Sequence, residues 1–312
     1  MPPPLEVPSL RSQILAGDLR ALARAATLIE NQSPAGRALI SSLFSQTGRA
    51  LIIGITGPPG AGKSTLVDQM ISTIRKADKT VAVIAVDPSS PFSHGAVLGD
   101  RIRMQRHYAD PGVFIRSMAS RGKLGGLARG TLEMSLLLDA AGRDYVIVET
   151  VGVGQDEVAI ARLADVTVVV LVPGLGDDVQ AFKAGIMEIA DVFAINKADL
   201  PGAARLEQDI RAMQSIANDA GATTAAPIRR VVAIDGSGVD DLIQAIHEIS
   251  ETRGTRSRNA DAWTLRLTEL LRDELFGCLP TNAIYEHAIK VAAKIEDPYT
   301  ALAALVELIR KS

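Results

Sequence analysis

The sequence predicts a doubly wound α/β domain carrying helical segments at both ends. Seven short runs are apolar almost without interruption, as strands covered on both faces are. The stretches between them are long enough for crossover helices. After Asp241 the strand signals stop and only helical spacing continues.

Composition narrows the class. The 312 residues, 47% apolar and 22% charged, exclude wholesale disorder and suit one large domain with appendages or two small ones. With 33 basic against 36 acidic residues, the net charge of -3 leaves no footprint for nucleic acid. A single cysteine excludes a disulfide framework and a thiolate zinc site; Cys278 is expected to pack inside a Leu-rich helical stretch. The longest apolar run, 166–172, is far shorter than a membrane span, which needs about 20 residues. The start, Met-Pro-Pro-Pro-Leu-Glu, resembles neither a secretory nor a mitochondrial leader, so a cytoplasmic protein is expected.

Taken in order, Leu10, Ile14, Leu15, Leu19, Leu22 and Ile29 recur at helical spacing with Ser9 as N-cap, and a short helix is expected over 38–44. The strands are then expected at 50–55, 80–86, 113–117, 145–149, 166–172, 192–196 and 228–234, with a last helix of that domain over 242–249. The polar, Arg-rich stretch 252–259 reads as a linker; its Arg253, Arg256 and Arg258 form either an anion site or, more in keeping with so short a run, a solvated connector. Beyond it, Trp263, Leu267, Leu270, Leu271, Leu275 and then Ile284, Ile289, Val291 and Ile295 mark amphipathic helices. A tail of this size has too little volume for a secure core of its own, so it must pack on the domain or on a second copy of itself. The expected division is a helical arm over 1–48, a nucleotide-binding domain over 49–254 and a helical extension over 255–312.

Between the first strand and a helical pattern lies Gly57-Pro58-Pro59-Gly60-Ala61-Gly62-Lys63-Ser64-Thr65. This is the G-x-x-x-x-G-K-[ST] phosphate loop in its strand-to-helix setting. Glycines let the backbone wrap closely around an anion, amides and the helix N-terminus point at the phosphates, and Lys63 supplies a point charge to the β and γ oxygens. Ser64 is placed to put its hydroxyl on Mg²⁺. A ligand-free glycine turn would not need Lys63 and Ser64 together.

Asn196-Lys197-Ala198-Asp199 follows the sixth apolar run, where side chains at the carboxyl end of a strand face the ligand crevice. Asp199 can accept from both the ring N–H and the exocyclic amine of guanine, a donor pair that adenine lacks. A site built on specific hydrogen bonds can reject the analogue lacking them by about 10⁴ to 10⁵. Lys197 would lie along the base and Asn196 would brace the phosphate loop. The other reading of the Asp is an N-cap for the helix after Pro201. Ala233, Ile234 and Asp235, after the last strand, are the expected source of backbone contacts to the guanine oxygen.

The fourth strand ends in Glu149-Thr-Val-Gly152, an acid to hold Mg²⁺ and a glycine whose amide would meet the γ-phosphate. Val153 follows, where small signalling GTPases often place a water-orienting Gln, so slow intrinsic turnover is expected. Asp87 and Asp100 are further metal candidates, although each alone also suits a turn or cap; His94 and His107 lack partners at metal spacing.

Together Val-Asp87-Pro-Ser-Ser-Pro, Leu-Gly-Asp100, Arg121-Gly-Lys-Leu-Gly-Gly-Leu127, Glu149-Thr-Val-Gly-Val-Gly-Gln155 and Pro173-Gly-Leu-Gly-Asp-Asp178 resemble the MeaB/ArgK family of SIMIBI P-loop GTPases. The similarity spans nearly the whole chain and is most specific over 51–200. At 93–96 this chain reads Ser-His-Gly-Ala where a Gly- and Ser-containing stretch is expected. The resemblance implies a GTPase chaperone, cycling between GTP and GDP with Mg²⁺, that gates cofactor delivery to an adenosylcobalamin-dependent acyl-CoA mutase and protects or reactivates it. It implies a homodimer joined through the C-terminal helices. It also implies a switch over 172–183, with Asp177, Asp178 and Lys183 signalling to the mutase or completing a stimulated hydrolytic site. Three other readings stand beside it, one of them a nucleotide-dependent scaffold without useful turnover, which differs only in kinetics. A nickel- or cobalt-insertion GTPase would need a Cys and His loading site, and this chain has one Cys and four scattered His. A kinase linked to amino-acid transport would need a base and an acceptor pocket that no motif supplies.

Overall fold

The seven apolar runs form one parallel sheet: β1 Leu51–Thr56, β2 Val81–Asp87, β3 Val113–Ala119, β4 Tyr145–Thr150, β5 Val166–Leu171, β6 Val192–Ile195 and β7 Ile228–Arg230. This computed structural model describes residues 7–87, 104–119, 126–150, 156–174, 186–219, 225–253 and 260–311. The strand order is β3-β2-β4-β1-β5-β6-β7. From β1 the chain leaves to one side, and from β4 it returns across β1 to β5. That reversal opens the crevice at the carboxyl ends of β1 and β4.

The helices are α1 Val7–Leu15, α2 Leu19–Glu30, α3 Pro34–Leu43, α4 Lys63–Lys76, α5 Gly126–Ala140, α6 Asp156–Leu163, α7 Ile186–Ile189, α8 Ala203–Asp219, α9 Val239–Arg253, α10 Ala260–Gly277, α11 Ala283–Ala292 and α12 Pro298–Lys311. Two units result, Met1–Asn259 and Ala260–Ser312.

Every residue of β1, β4, β5 and β6 is buried, as continuous apolar runs require. The period of two divides them between the faces. Ile53, Ile55, Val168 and Val170 meet Leu66, Met70 and Ile71 of α4 and Leu242 and Ile246 of α9, while Val169, Leu171, Phe193 and Ile195 meet Leu206 and Ile210 of α8. Each such side chain contributes about 1.5–3 kcal/mol relative to leaving it in water.

At the opposite edge of the sheet a repeated device closes the strand ends. Asp144, Asp165 and Asp191 each stand just before a strand and accept an amide hydrogen bond from the start of the neighbouring strand or the residue before it: Thr80 N at 2.8 Å, Ile52 N at 2.9 Å and Thr167 N at 2.8 Å. Backbone donors at the first sheet positions are thereby satisfied.

The arm departs from expectation. In place of one helix capped by Ser9, α1 ends at Leu15 and α2 starts after Asp18, whose carboxylate accepts from Arg20 N at 2.7 Å and Ala21 N at 3.1 Å. Ser9 lies inside α1. The third helix begins earlier than expected, at Pro34, because Ser33 caps it through Gly36 N and proline suits the first helical position. Helix α2 packs on α5 and is tied to β3 by the Glu30–Arg116 ion pair.

The last strand is shorter than expected, ending at Arg230, because Val232 turns back to pair with Ser237. Helix α9 runs past its expected ends and takes in Thr252 and Arg253 of the expected linker; 254–259 lie outside the described residues.

In the second unit, His287 Nδ1 lies 2.7 Å from Glu296, and Asp297 caps α12 through Tyr299 N and Thr300 N. Cys278 is exposed, not packed, because the apolar side chains around it on α10, Leu271, Leu275 and Phe276, are themselves exposed. Leu267, Leu271, Leu275, Ile284, Ile289 and Leu302 are exposed as well. No helix among the described residues is long and apolar enough to cross a membrane.

Candidate functional site

At the carboxyl end of β1 the chain turns through 57–62 into α4 with no side-chain cap, so the first-turn amides of α4 face the loop's hollow. Backbone geometry explains two of the glycines. Gly57 adopts φ 140° and Gly62 φ 84°; a Cβ on Gly57 would collide with the Val170 carbonyl, and one on Gly62 with the Asn196 amide. Pro58 accepts from Ala61 N at 3.2 Å, closing the turn, while Pro59, Gly60 and Thr65 are exposed. Lys63 is buried and donates to the carbonyls of Gly57 at 2.7 Å and Pro58 at 3.0 Å, which holds its ammonium over the loop.

Ser64 and Glu149 meet. The serine hydroxyl donates to Glu149 Oε1 at 2.6 Å across the β1–β4 junction, where Ile55 pairs with Glu149 in register. Glu149 is buried. Below them Thr150 Oγ1 donates to Thr56 Oγ1 at 3.1 Å, a buried link that no motif announces. A hydroxyl and a carboxylate converging at a helix N-terminus form a hard oxygen donor set, which fits Mg²⁺. Asp87 ends β2, in the strand next to β4.

The half of the site expected to take the base centres on Asn196, which is buried. Its Nδ2 donates to Ala61 O at 2.8 Å, and its Oδ1 accepts from Lys197 N at 2.8 Å and Ala233 N at 3.0 Å. One side chain thus joins the phosphate loop to the loop after β7. Lys197 takes φ 54° and reaches Gly60 O at 3.2 Å, laying its alkyl stem along the phosphate loop. Asp199 is exposed two residues on and precedes α8 by four positions, so it is no N-cap; that other reading is set aside.

In the loop after β7, the amides of Ala233 and Asp235 are committed to Asn196 Oδ1 and Val232 O, and Gln69 of α4 donates to Ile234 O at 3.4 Å. Asp235 accepts from Ser237 N at 2.8 Å, and that backbone bond holds its carboxyl below the ordinary range. The Gln69 contact was not legible in the sequence, because Gln69 lies inside an ordinary helical pattern.

The expected sites thus come together in part. The phosphate loop, Glu149, Asn196, Lys197, Asp199 and 233–235 line one edge of the sheet. Asp100, Gly152, Asp177, Asp178 and Lys183 lie outside the described residues, as does the Asp87 side chain.

Comparison with known proteins identifies the family. Residues 22–281 match the family described as methylmalonyl Co-A mutase-associated GTPase MeaB. A Pyrococcus abyssi protein named as a GTPase is 46% identical over 305 residues, covering 95% of this chain and 94% of that one. The methylmalonic aciduria type A homolog of Caenorhabditis elegans, named as mitochondrial, is 36% identical over 219 residues, 65% of this chain and 55% of that protein. A crystal structure titled LAO/AO transport system kinase has a TM-score of 0.71 at 26% identity, with 97% of each chain covered. With residues 22–281 matched by the family and a GTPase-named relative 46% identical over nearly the whole chain, the chain belongs to the MeaB family of P-loop GTPases.

Proposed function

We propose that this GTPase acts as a chaperone of an adenosylcobalamin-dependent acyl-CoA mutase, coupling GTP hydrolysis to delivery of the mutase cofactor and to the mutase's protection or reactivation. Two names support the client: that of the family and that of the C. elegans relative. The observation that carries the nucleotide reading is the Asn196 side chain, whose bonds to Ala61 and Ala233 hold the phosphate and base halves as one site.

In this reading the amides of the phosphate loop and of α4 bind the β and γ phosphates, Lys63 neutralises their charge, and Asp199 accepts from the guanine edge. With the Ala233 and Asp235 amides already engaged, Ile234 is assigned the amide that meets the guanine oxygen. Ser64 and Glu149 would hold Mg²⁺, with Asp87 and Asp100 as outer partners. When bound, the ion neutralises charge on the phosphates. Gly152 would place its amide on the γ-phosphate, and Asp177 and Lys183 would respond to the mutase. Val153 in place of a water-orienting glutamine keeps unassisted hydrolysis slow. The exposed apolar residues of α10–α12 would join two copies in a homodimer, giving a 255–312 extension to a 49–254 GTPase domain and a 1–48 arm, at work in the cytoplasm.

The test is single-turnover GTP hydrolysis with each adenosylcobalamin mutase of the host, paired with co-purification in the GDP and GTP-analogue states. Stimulation by one mutase and nucleotide-dependent capture are expected. Turnover and nucleotide affinity left unchanged by all of them would end this reading.

A further inference from the structure

The turn after β7 engages nearly all of its backbone donors. Val231 N donates to Ile195 O at 2.9 Å and Val232 N to Ser237 O at 2.9 Å, while Ala233 N is held by Asn196 Oδ1 at 3.0 Å. Asp235 N and Gly236 N both donate to Val232 O, at 3.3 and 2.9 Å, and Ser237 N donates to Asp235 Oδ1 at 2.8 Å. Over 231–237 the Ile234 amide alone donates to no group among the described residues, and Ile234 is exposed. A turn closed at every other donor thus keeps one N–H open to water or to a ligand.

The direction of that N–H is set by the peptide planes on either side of it. The plane joining Val232 to Ala233 is held by the Asn196 bond to Ala233 N. The plane joining Ile234 to Asp235 is held at its nitrogen by Val232 O and at its oxygen by Gln69 of α4, whose Nε2 donates to Ile234 O at 3.4 Å. Because each peptide is planar, fixing both neighbours leaves the Ile234 N–H only the torsions at Ala233 and Ile234. A carbonyl can only accept, so the Gln69 amide must present its nitrogen to Ile234. Its Oε1 then lies against Gly236, 3.5 Å from where a Cβ would stand, so the side chain spans the turn. Gln69 is four residues, about one helical turn, beyond Thr65 of the phosphate loop. The turn is therefore referenced twice to the phosphate side: by Asn196 to the loop, and by Gln69 to the helix that follows it.

We infer that Gln69 is a positioning residue for base recognition, acting through the Ile234–Asp235 peptide to aim the Ile234 amide at the guanine oxygen. The inference rests on the guanine reading proposed above. What Gln69 governs is one neutral hydrogen bond to the base, whose loss is worth about three- to tenfold in affinity. Nucleotides that lack the oxygen should not register it.

The test titrates the full chain calorimetrically with GDP, IDP and the diphosphate of 2-aminopurine riboside, for wild type, Gln69→Met and Gln69→Leu. Both variants keep an apolar side chain of similar bulk on the helix and lose the donor. GDP and IDP carry the base oxygen; the 2-aminopurine nucleotide lacks it together with the ring N–H. Each variant should weaken GDP and IDP by the same factor, about three- to tenfold, and leave the 2-aminopurine nucleotide within about twofold of wild type. Unchanged GDP affinity in both variants would overturn the inference. So would an equal loss for all three nucleotides, since that marks a merely structural role. A wild type that binds the 2-aminopurine nucleotide as tightly as GDP would instead end the guanine reading, and this inference with it.

Discussion

The Ser64 hydroxyl and the Glu149 carboxylate stand 2.6 Å apart, one at the start of α4 and the other at the end of β4. The contact spans the point where the strand order reverses, which is where a doubly wound fold places its ligand. Glu149→Gln preserves the shape and can still accept from Ser64, but it removes the charge. The expected outcome is nucleotide binding in EDTA close to wild type, with Mg²⁺-supported hydrolysis reduced on the order of 10²-fold or more. Equal hydrolysis by the two proteins would show that the acid does not serve the metal.

Lys63 is buried and bonded to the carbonyls of Gly57 and Pro58. Lys63→Ala removes the buried point charge over the phosphate loop and also releases the two carbonyls. Calorimetry should show GTP affinity down on the order of 10²-fold or more, since hydrogen bonds to charged groups are worth about 1.5–3 kcal/mol each. Affinity within a few fold of wild type would mean that the phosphates bind elsewhere.

Gly62→Ala tests the joint between the two halves of the site. The backbone there has φ 84°, and a methyl would push against the Asn196 amide. A left-handed residue with a Cβ costs about 1–2 kcal/mol, and displacement of Asn196 adds to it. We expect a thermal midpoint lower by several degrees, about 2–4 °C per kcal/mol for a domain of this size, and guanine selectivity reduced along with it. A midpoint at or above that of wild type would contradict the geometry.

Acid should destabilise the fold in a definite direction. The hydrogen bond from Arg75 holds Asp110 below its ordinary range. Burial pushes Asp144 upward, but hydrogen bonds from Thr80 and Lys79 outweigh it and leave this carboxyl lowered too. For a lowered native pKa the unfolded chain binds more protons as pH falls. The stabilisation is therefore present above the unfolded value of about 3.9 and is lost below it, as pH falls through the native values. Urea midpoints should fall steeply below about pH 4, and less steeply in Asp110→Asn; a midpoint that rises toward acid would refute the assignment.

The exposed Leu267, Leu271 and Leu275 lie at four-residue intervals on α10. If these residues join two copies, Leu271→Glu should convert a dimer of the full chain into a monomer by light scattering. A wild-type monomer, or a dimer that survives the charge, would remove the homodimer from the account.

Much of this was legible because the relevant signals are local. The phosphate loop and Asn196–Asp199 announce themselves by residue type and spacing, and the seven strands by continuous apolarity. What escaped rests on two local turns and on carboxylates whose partners are distant in sequence. The break between α1 and α2 turns on the cap supplied by Asp18, which lies within an otherwise continuous helical pattern. The end of β7 turns on Val232 pairing with Ser237. Asp139 binds the amides of Gly48, Arg49 and Ala50 across about 90 residues of chain, and Asp68 gathers Arg106 and His107 across nearly 40. In each of these long-range cases a carboxylate on an ordinary helix has no spacing to mark its partner. Cys278 escaped for a different reason: its Leu-rich surroundings suggested burial, but those leucines are themselves exposed.

The most direct measurement is calorimetric titration of the full chain with GDP and with ADP under the same conditions. Asp199 and the Asn196 bridge predict GDP binding at least about 10²-fold tighter than ADP, because adenine would leave the carboxylate without its two donors. Equal affinity for the two nucleotides, or no binding of either, would contradict the account.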